Sequence, residues 1–170
     1  EKVLGFRDSG ESVIVQTKDA IYKSRFLVVA SGCQDALKKE IAGQESKESM
    51  GVCLVSEIEA EEERIVESLG SALDIHFGVA EGGYGWIFPH RGYYSVGIGG
   101  LSSSLPHPRQ AMRRFLRENG FSEEARLSGH LIPQGGNRRR VARGRVLLAG
   151  DAAGFGDPFT GEGIYYALAS

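Results

Sequence analysis

Gly144-Arg-Val-Leu-Leu-Ala-Gly-Asp-Ala-Ala-Gly-Phe-Gly-Asp-Pro-Phe-Thr-Gly-Glu-Gly-Ile164 is an apolar strand that runs into Gly-Asp, a proline-bearing loop and a Gly-x-Gly turn opening a helix. Residues 146–149 form a short continuous apolar run, the pattern of a strand covered on both faces. The loop beyond Gly150 is therefore presented at the strand's carboxyl end, where open α/β sheets bind ligands. Gly161 and Gly163 carry no Cβ to hold a ligand off the backbone, and a helix beginning near Ile164 aims unsatisfied N–H groups at the same space. Asp151, a short acceptor at the strand end, is placed to take hydrogen bonds from a sugar hydroxyl. The segment reads as a cradle for a phosphorylated ring cofactor.

Working outward, residues 26–30 are a second fully apolar strand. Ser31-Gly32 breaks it, and Ala36, Leu37 and Ile41 then recur at helical spacing. Upstream, 3–6, 13–17 and 21–22 alternate or run apolar around polar turns, giving a small antiparallel meander that faces water. Residues 44–49 are polar and without period, and the change of domain is placed there. Beyond it, 52–58, 75–77, 86–88 and 93–98 are short strands bounded by glycine-rich turns. A glutamate-rich helix with Ile65, Val66 and Leu69 on one face lies among them. Residues 108–119 are an amphipathic helix with Ala111, Met112, Phe115 and Leu116 inward and Gly120 as its stop. The pattern is that of an antiparallel sheet with helices on one side. The fold expected is α+β, divided into 1–43, 44–136 and 137–170.

Gly82-Gly-Tyr-Gly-Trp-Ile-Phe-Pro89 puts Tyr84, Trp86 and Phe88 on one face of a strand, because side chains alternate with period two. Taken alone, that face suits a core-facing strand as well as a ligand wall. None of His76, His90, His107 and His130 has a partner at a catalytic spacing, and each reads as a surface or satisfied core histidine. Cys33 and Cys53 form no Cys-x-x-Cys, so a metal or redox motif is not indicated. They read as buried free thiols at a helix start and in a strand, as in a reducing cytoplasm.

Gly150-Asp-Ala-Ala, Pro158 and Gly161-Glu-Gly-Ile resemble the second FAD-binding motif of flavoproteins shaped like para-hydroxybenzoate hydroxylase. Tyr84-Gly-Trp-Ile-Phe-Pro89, Val96-Gly-Ile-Gly99 and Gly129-His-Leu-Ile-Pro-Gln-Gly-Gly136 resemble the geranylgeranyl reductase branch of that superfamily. The resemblance runs over most of the chain from Phe26 onward. It implies an incomplete Rossmann-like FAD-binding part, with Gly32, Gly150, Asp151, Ala152, Pro158, Gly161, Gly163 and Ile164 at the cofactor. Ala30-Ser-Gly-Cys-Gln-Asp35 departs from the superfamily's Ala-Asp-Gly-x-x-Ser turn but keeps its glycine. The resemblance also implies that Tyr84, Trp86, Phe88 and Pro89 border an isoprenoid substrate, a prenyl-chain lipid or prenyl diphosphate, whose double bond takes hydride from reduced FAD. No proton donor is assigned; Tyr84 and Cys53 are the candidates within the chain, and the electron donor is unidentified. A flavin hydroxylase of the same superfamily, or a non-catalytic fragment or binding module, are the alternatives.

The 170 residues are 41% hydrophobic and 25% charged, with a formal net charge of -2, which gives no general attraction to nucleic acid. Arg138, Arg139, Arg140, Arg143 and Arg145 form the dense basic run, read first as a solvated loop and second as a steering patch for an anionic head group. The glutamates between 57 and 63 read as a solvated edge and helix start. No apolar run reaches the roughly 18 to 20 residues needed to cross a bilayer, which leaves a cytoplasmic or membrane-peripheral protein. The chain starts at Glu1 without a targeting segment, contains no Gly-x-Gly-x-x-Gly, and stops within the second or third turn of the last helix. The expectation is an excised piece that holds FAD weakly or not at all and exposes a strand edge prone to self-association.

Overall fold

The computed structural model describes residues 1–43, 50–133, 139–157 and 160–170. It divides into two units, Glu1–Ser46 with Ile132–Ser170, and Lys47–Leu131. The boundaries expected from the sequence adjoin or fall within 44–49 and 134–138, outside the described residues.

The first unit opens with β1 (Val3–Asp8), β2 (Val13–Thr17) and β3 (Ile21–Ser24), an antiparallel meander in that order. A second sheet has the order β10 (Ala142–Arg143), β11 (Val146–Leu148), β4 (Leu27–Val29), with β11 and β4 parallel and Val146 opposite Leu27. Val13, Val29, Ile41, Val146, Leu148, Ala152 and Ala153 form this unit's core. Ile41 comes from α1 (Ala36–Ala42), whose N-cap Asp35 accepts the Leu37 N–H at 2.8 Å.

The strand at 146–149 is not covered on both faces, as its composition suggested, and neither is its apolar neighbour at 26–30. Val28 is 59% and Leu147 40% exposed, because within this chain the core packs against only the face bearing Val29, Val146 and Leu148. The basic run also differs from a merely solvated loop. Arg145 donates from its backbone N–H to Asp8 Oδ2 (2.9 Å) and from Nε to the Gly10 carbonyl (2.7 Å), and its guanidinium lies 5.3 Å over the Phe26 ring. Gly144, at φ +58°, makes this closure: a Cβ there would collide with Asp8 Oδ2. Arg138 lies outside the described residues.

Two backbone N–H bonds, from Arg145 and then Gly10, hold the Asp8 carboxyl below its ordinary value. Its folded pKa is depressed, so the contribution is present above the unfolded value of about 4 and is lost as pH falls through the folded value. Asp8→Asn is expected to lower the thermal midpoint at neutral pH and to flatten its decline in acid. An unchanged acid limb in calorimetry would contradict this.

The second unit is built on a five-stranded sheet in the order β6 (Asp74–Phe77), β7 (Tyr84–His90), β8 (Tyr93–Leu101), β5 (Met50–Glu59), β9 (Ser128–Pro133), in which β6, β7, β8 and β5 pair antiparallel. Strand alternation sends Leu54, Ile87, Val96 and Ile98 to one face, where they meet Ile65 of α2 (Glu62–Ser68) and Met112, Phe115 and Leu116 of α3 (Pro108–Glu118). Val66 is exposed; Ile65 and Leu69, four residues apart, make the inward stripe instead. Ser56 lies on the core face at 2% exposure, and its hydroxyl has no partner among the described residues. Such a group costs about 1 to 3 kcal/mol, so Ser56→Ala is expected to raise stability by about 1 kcal/mol. A higher urea midpoint at unchanged slope is the check, and a lower midpoint would refute it.

Candidate functional site

A cavity of about 490 Å³ opens in the first unit at the carboxyl ends of β4 and β11. Gly32 follows β4; Gly150 and Asp151 follow β11; Gly161, Gly163 and Ile164 come from the turn that opens α4 (Ile164–Ala169). These six residues, separated by up to 132 positions, line one space. Gly161 sits at φ +74°, where a branched residue is strained, and Gly163 faces Asp151 Oδ1, 3.8 Å from where its Cβ would stand. Ala152 departs from expectation: it occupies a 3-10 turn that folds its methyl into the core, 1% exposed, and it does not line the cavity. Pro158 lies outside the described residues.

Other lining residues were not singled out from the sequence: Ala149, Gly156 and Ala167 within or next to the cradle segment, and Ala30 and Ile132 outside it. Ile132 belongs to the Gly129-His-Leu-Ile-Pro block, and its apolarity in a polar stretch was the available signal. The burial of Lys38 of α1, which does not line the cavity, had no signal in the sequence. Lys38 is only 3% exposed, and burial pushes its ammonium pKa down while Cys33 and Asp151 oppose that shift. Burial likewise raises the Cys33 thiol, with Lys38 acting against it. Arg139 lies against Gly154, where a Cβ would overlap its guanidinium, and burial lowers its pKa. Cys33 precedes α1 rather than starting it, and both cysteines are half-buried, with no disulfide among the described residues.

The second unit carries the aromatic strand. Register pairs Tyr84 with Gly99, Trp86 with Gly97 and Phe88 with Ser95, while Gly85 and Ile87 point to the helix-covered core. The aromatics are therefore on the face opposite the helices. Tyr84 and Trp86, and Trp86 and Phe88, stand 6.2 Å apart, ring centre to ring centre, and Phe77 of β6 continues the row 6.5 Å from Tyr84. Ile75 and Phe77 are exposed on this face. Pro89 is not on it: paired with Tyr94, it shares the parity of Gly85 and Ile87. It is tolerated because β6 pairs only as far as Ile87, leaving that stretch of β7 an edge.

Cys53 is opposite Gly99 on β5, so the thiol and Tyr84 flank the same glycine. Burial raises the Cys53 pKa, against a bond from the His130 backbone N–H, and keeps the group a neutral thiol. His76, expected to lack a carboxylate partner, has one: Nε2 is 2.9 Å from Asp74 Oδ2, and the ring meets Phe115 edge-on at 5.0 Å. Two residues apart on a strand, the pair share one face.

An α+β fold with a glycine-walled cavity beyond two parallel strands, and an antiparallel sheet with one aromatic face, is the class these features define. The chain is a homologue of reductases named for geranylgeranyl substrates. It is 26% identical over 178 residues to the digeranylgeranylglycerophospholipid reductase of Methanocaldococcus jannaschii, covering 97% of this chain and 44% of that protein. It is 38% identical over 90 residues to the chloroplastic geranylgeranyl diphosphate reductase of Oryza sativa, covering 51% and 19%. The chain thus spans less than half the length of these relatives. Its fold is shared with a geranylgeranyl bacteriochlorophyll reductase-like protein from Thermoplasma acidophilum, at TM-score 0.77 and 20% identity over 98% of this chain and 45% of that one. The FAD complex of Klebsiella pneumoniae HpxO has the fold too, at TM-score 0.64 and 20% identity over 99% and 47%. No protein-family model matches the chain. No helix among the described residues is long and apolar enough to cross a membrane.

Proposed function

We propose that this chain supplies the substrate face and part of the cofactor cradle of a flavin-dependent reductase that saturates isoprenoid double bonds. The observation that carries the reading is the aromatic row on the helix-free face of the sheet, an apolar wall of the kind a ligand without hydrogen-bonding groups requires. The homology to prenyl-lipid reductases points the same way.

The residues at the first cavity fit FAD. Glycines and alanines let a ligand come close to the backbone, and Asp151 offers a carboxylate to a ribityl or ribose hydroxyl. The turn before α4 does not offer the unsatisfied N–H groups expected of it, since those of Thr160, Gly161, Glu162 and Tyr165 are bonded locally. We read β4 and β11 as strands of a Rossmann-like sheet, with Gly32, Gly150, Asp151, Gly161, Gly163 and Ile164 holding the cofactor. Bound FAD, once reduced, supplies hydride. In this reading Trp86, Phe88 and Tyr84 align the alkene and exclude water, and Cys53 and Tyr84 are the candidates within this chain for giving a proton to the second carbon. Incubating the full-length, flavin-loaded protein with geranylgeranyl diphosphate and with prenylated lipid under a chemical reductant, and weighing the products, tests this. Gain of hydrogen pairs is expected. NAD(P)H- and oxygen-dependent hydroxylation of a phenol, with the prenyl compounds untouched, would replace the reading with that of a hydroxylase.

The sequence has no Gly-x-Gly-x-x-Gly to hold the pyrophosphate. The 170-residue chain by itself is therefore expected to purify colourless and to titrate with FAD only weakly. A yellow preparation with one firmly held flavin per chain would show a complete site.

A further inference from the structure

We infer that Gly97 fixes the pose of Trp86 and thereby sets the depth of the aromatic face, making position 97 the determinant of how thick a ligand that face admits. The two residues are directly opposed on β8 and β7. A Cβ on Gly97 would stand 2.6 Å from Trp86 Cε2 and Cη2, and closer still to Cζ2. The indole therefore lies flat across the strand, in space that a side chain at 97 would fill. Its Nε1–H points to Ser95 Oγ at 3.4 Å, one pair further along the same face.

Tyr84 and Phe88 flank the indole, each 6.2 Å from it between ring centres, so it cannot slide along the strand. A methyl at 97 leaves one escape, outward from the sheet into the space above the face. Gly99 supplies the contrast. It is on the same strand and face, but a Cβ there meets nothing closer than 3.7 Å, from Cys53 Cβ and Trp86 Cζ3. Both glycines look alike in sequence, yet only one of them seats the ring.

The pose stands on geometry alone; its effect on ligand choice rests on the reductase function proposed above. Trp86 is the chain's only tryptophan, so its emission reports the pose directly. In Gly97→Ala the emission is expected to shift to the red and to become more accessible to acrylamide, while Gly99→Ala stays like the parent. Far-UV circular dichroism should match in all three. An unshifted Gly97→Ala, or equal shifts in both variants, would overturn the inference. Should Gly97→Ala fold poorly, adding Trp86→Leu is expected to restore its melting point toward that of Trp86→Leu alone. Failure of that rescue would also overturn it, since the clash would then lie elsewhere.

Geranylgeraniol, titrated below its solubility limit, is the ligand probe. It should perturb the parent's Trp86 emission and bind Gly97→Ala roughly tenfold or more weakly, the scale of a methylene misfit in an apolar pocket. Equal affinity in the two would refute position 97 as a determinant of ligand thickness. A parent that ignores geranylgeraniol while Gly97→Ala still shifts alone would sink the substrate-face reading and the ligand role together, leaving the pose.

Discussion

In the full-length protein, replacing Asp151 by alanine is expected to weaken flavin retention by about ten- to a hundredfold, the equivalent of roughly 1 to 3 kcal/mol for one hydrogen bond to a charged acceptor. The carboxylate stands just past β11, exposed at the cavity mouth, and outside the unit's core, so its loss leaves packing intact. Gly161→Val should cost more. It combines a β-branched residue at φ +74° with added bulk at a position lining a cavity built mostly from glycine and alanine. Flavin absorbance after desalting, with a thermal melt of each apoprotein alongside, separates the two effects. Undiminished retention in both variants would remove this cavity as the flavin cradle.

Trp86→Ala is expected to reduce turnover of a prenyl substrate on the order of a hundredfold, the scale on which misplacing a reactant suppresses a reaction, while flavin content stays normal. The indole is half-buried and holds the middle of the aromatic row, so its removal opens the wall between Tyr84 and Phe88. Aromatic contacts of this kind add about 0.5 to 1.5 kcal/mol each beyond burial, so the melting point should fall modestly. Parental turnover in the variant would return the strand to a structural role.

Much of this site could be read from local chemistry. Gly150-Asp151 and Gly161-x-Gly163 announce a strand end and a helix start, and period-two alternation puts Tyr84, Trp86 and Phe88 together. The same alternation excludes Pro89 from that face, so its assignment there followed the motif rather than the pleat. The features that escaped the sequence depend on tertiary placement. Ala152 turns inward because a 3-10 turn, not an extended loop, succeeds β11. Lys38 occupies an ordinary helix position, and only the packing of α1 buries it beside Asp151 and Cys33. Val28 and Leu147 are as apolar as any core residue, and their exposure reflects how little of this chain covers that face.

The aromatic face and the glycine cavity acquire a joint meaning if reduced flavin gives its hydride to a prenyl double bond. The direct measurement is anaerobic: the full-length, flavin-loaded protein is reduced chemically, freed of excess reductant, and mixed with geranylgeranyl diphosphate or prenylated lipid while flavin absorbance is monitored. Reoxidation that consumes one double bond per flavin, slowed by Trp86→Ala, is the predicted result. Flavin that stays reduced with both prenyl compounds, and reoxidises only when oxygen is admitted, would contradict the assignment.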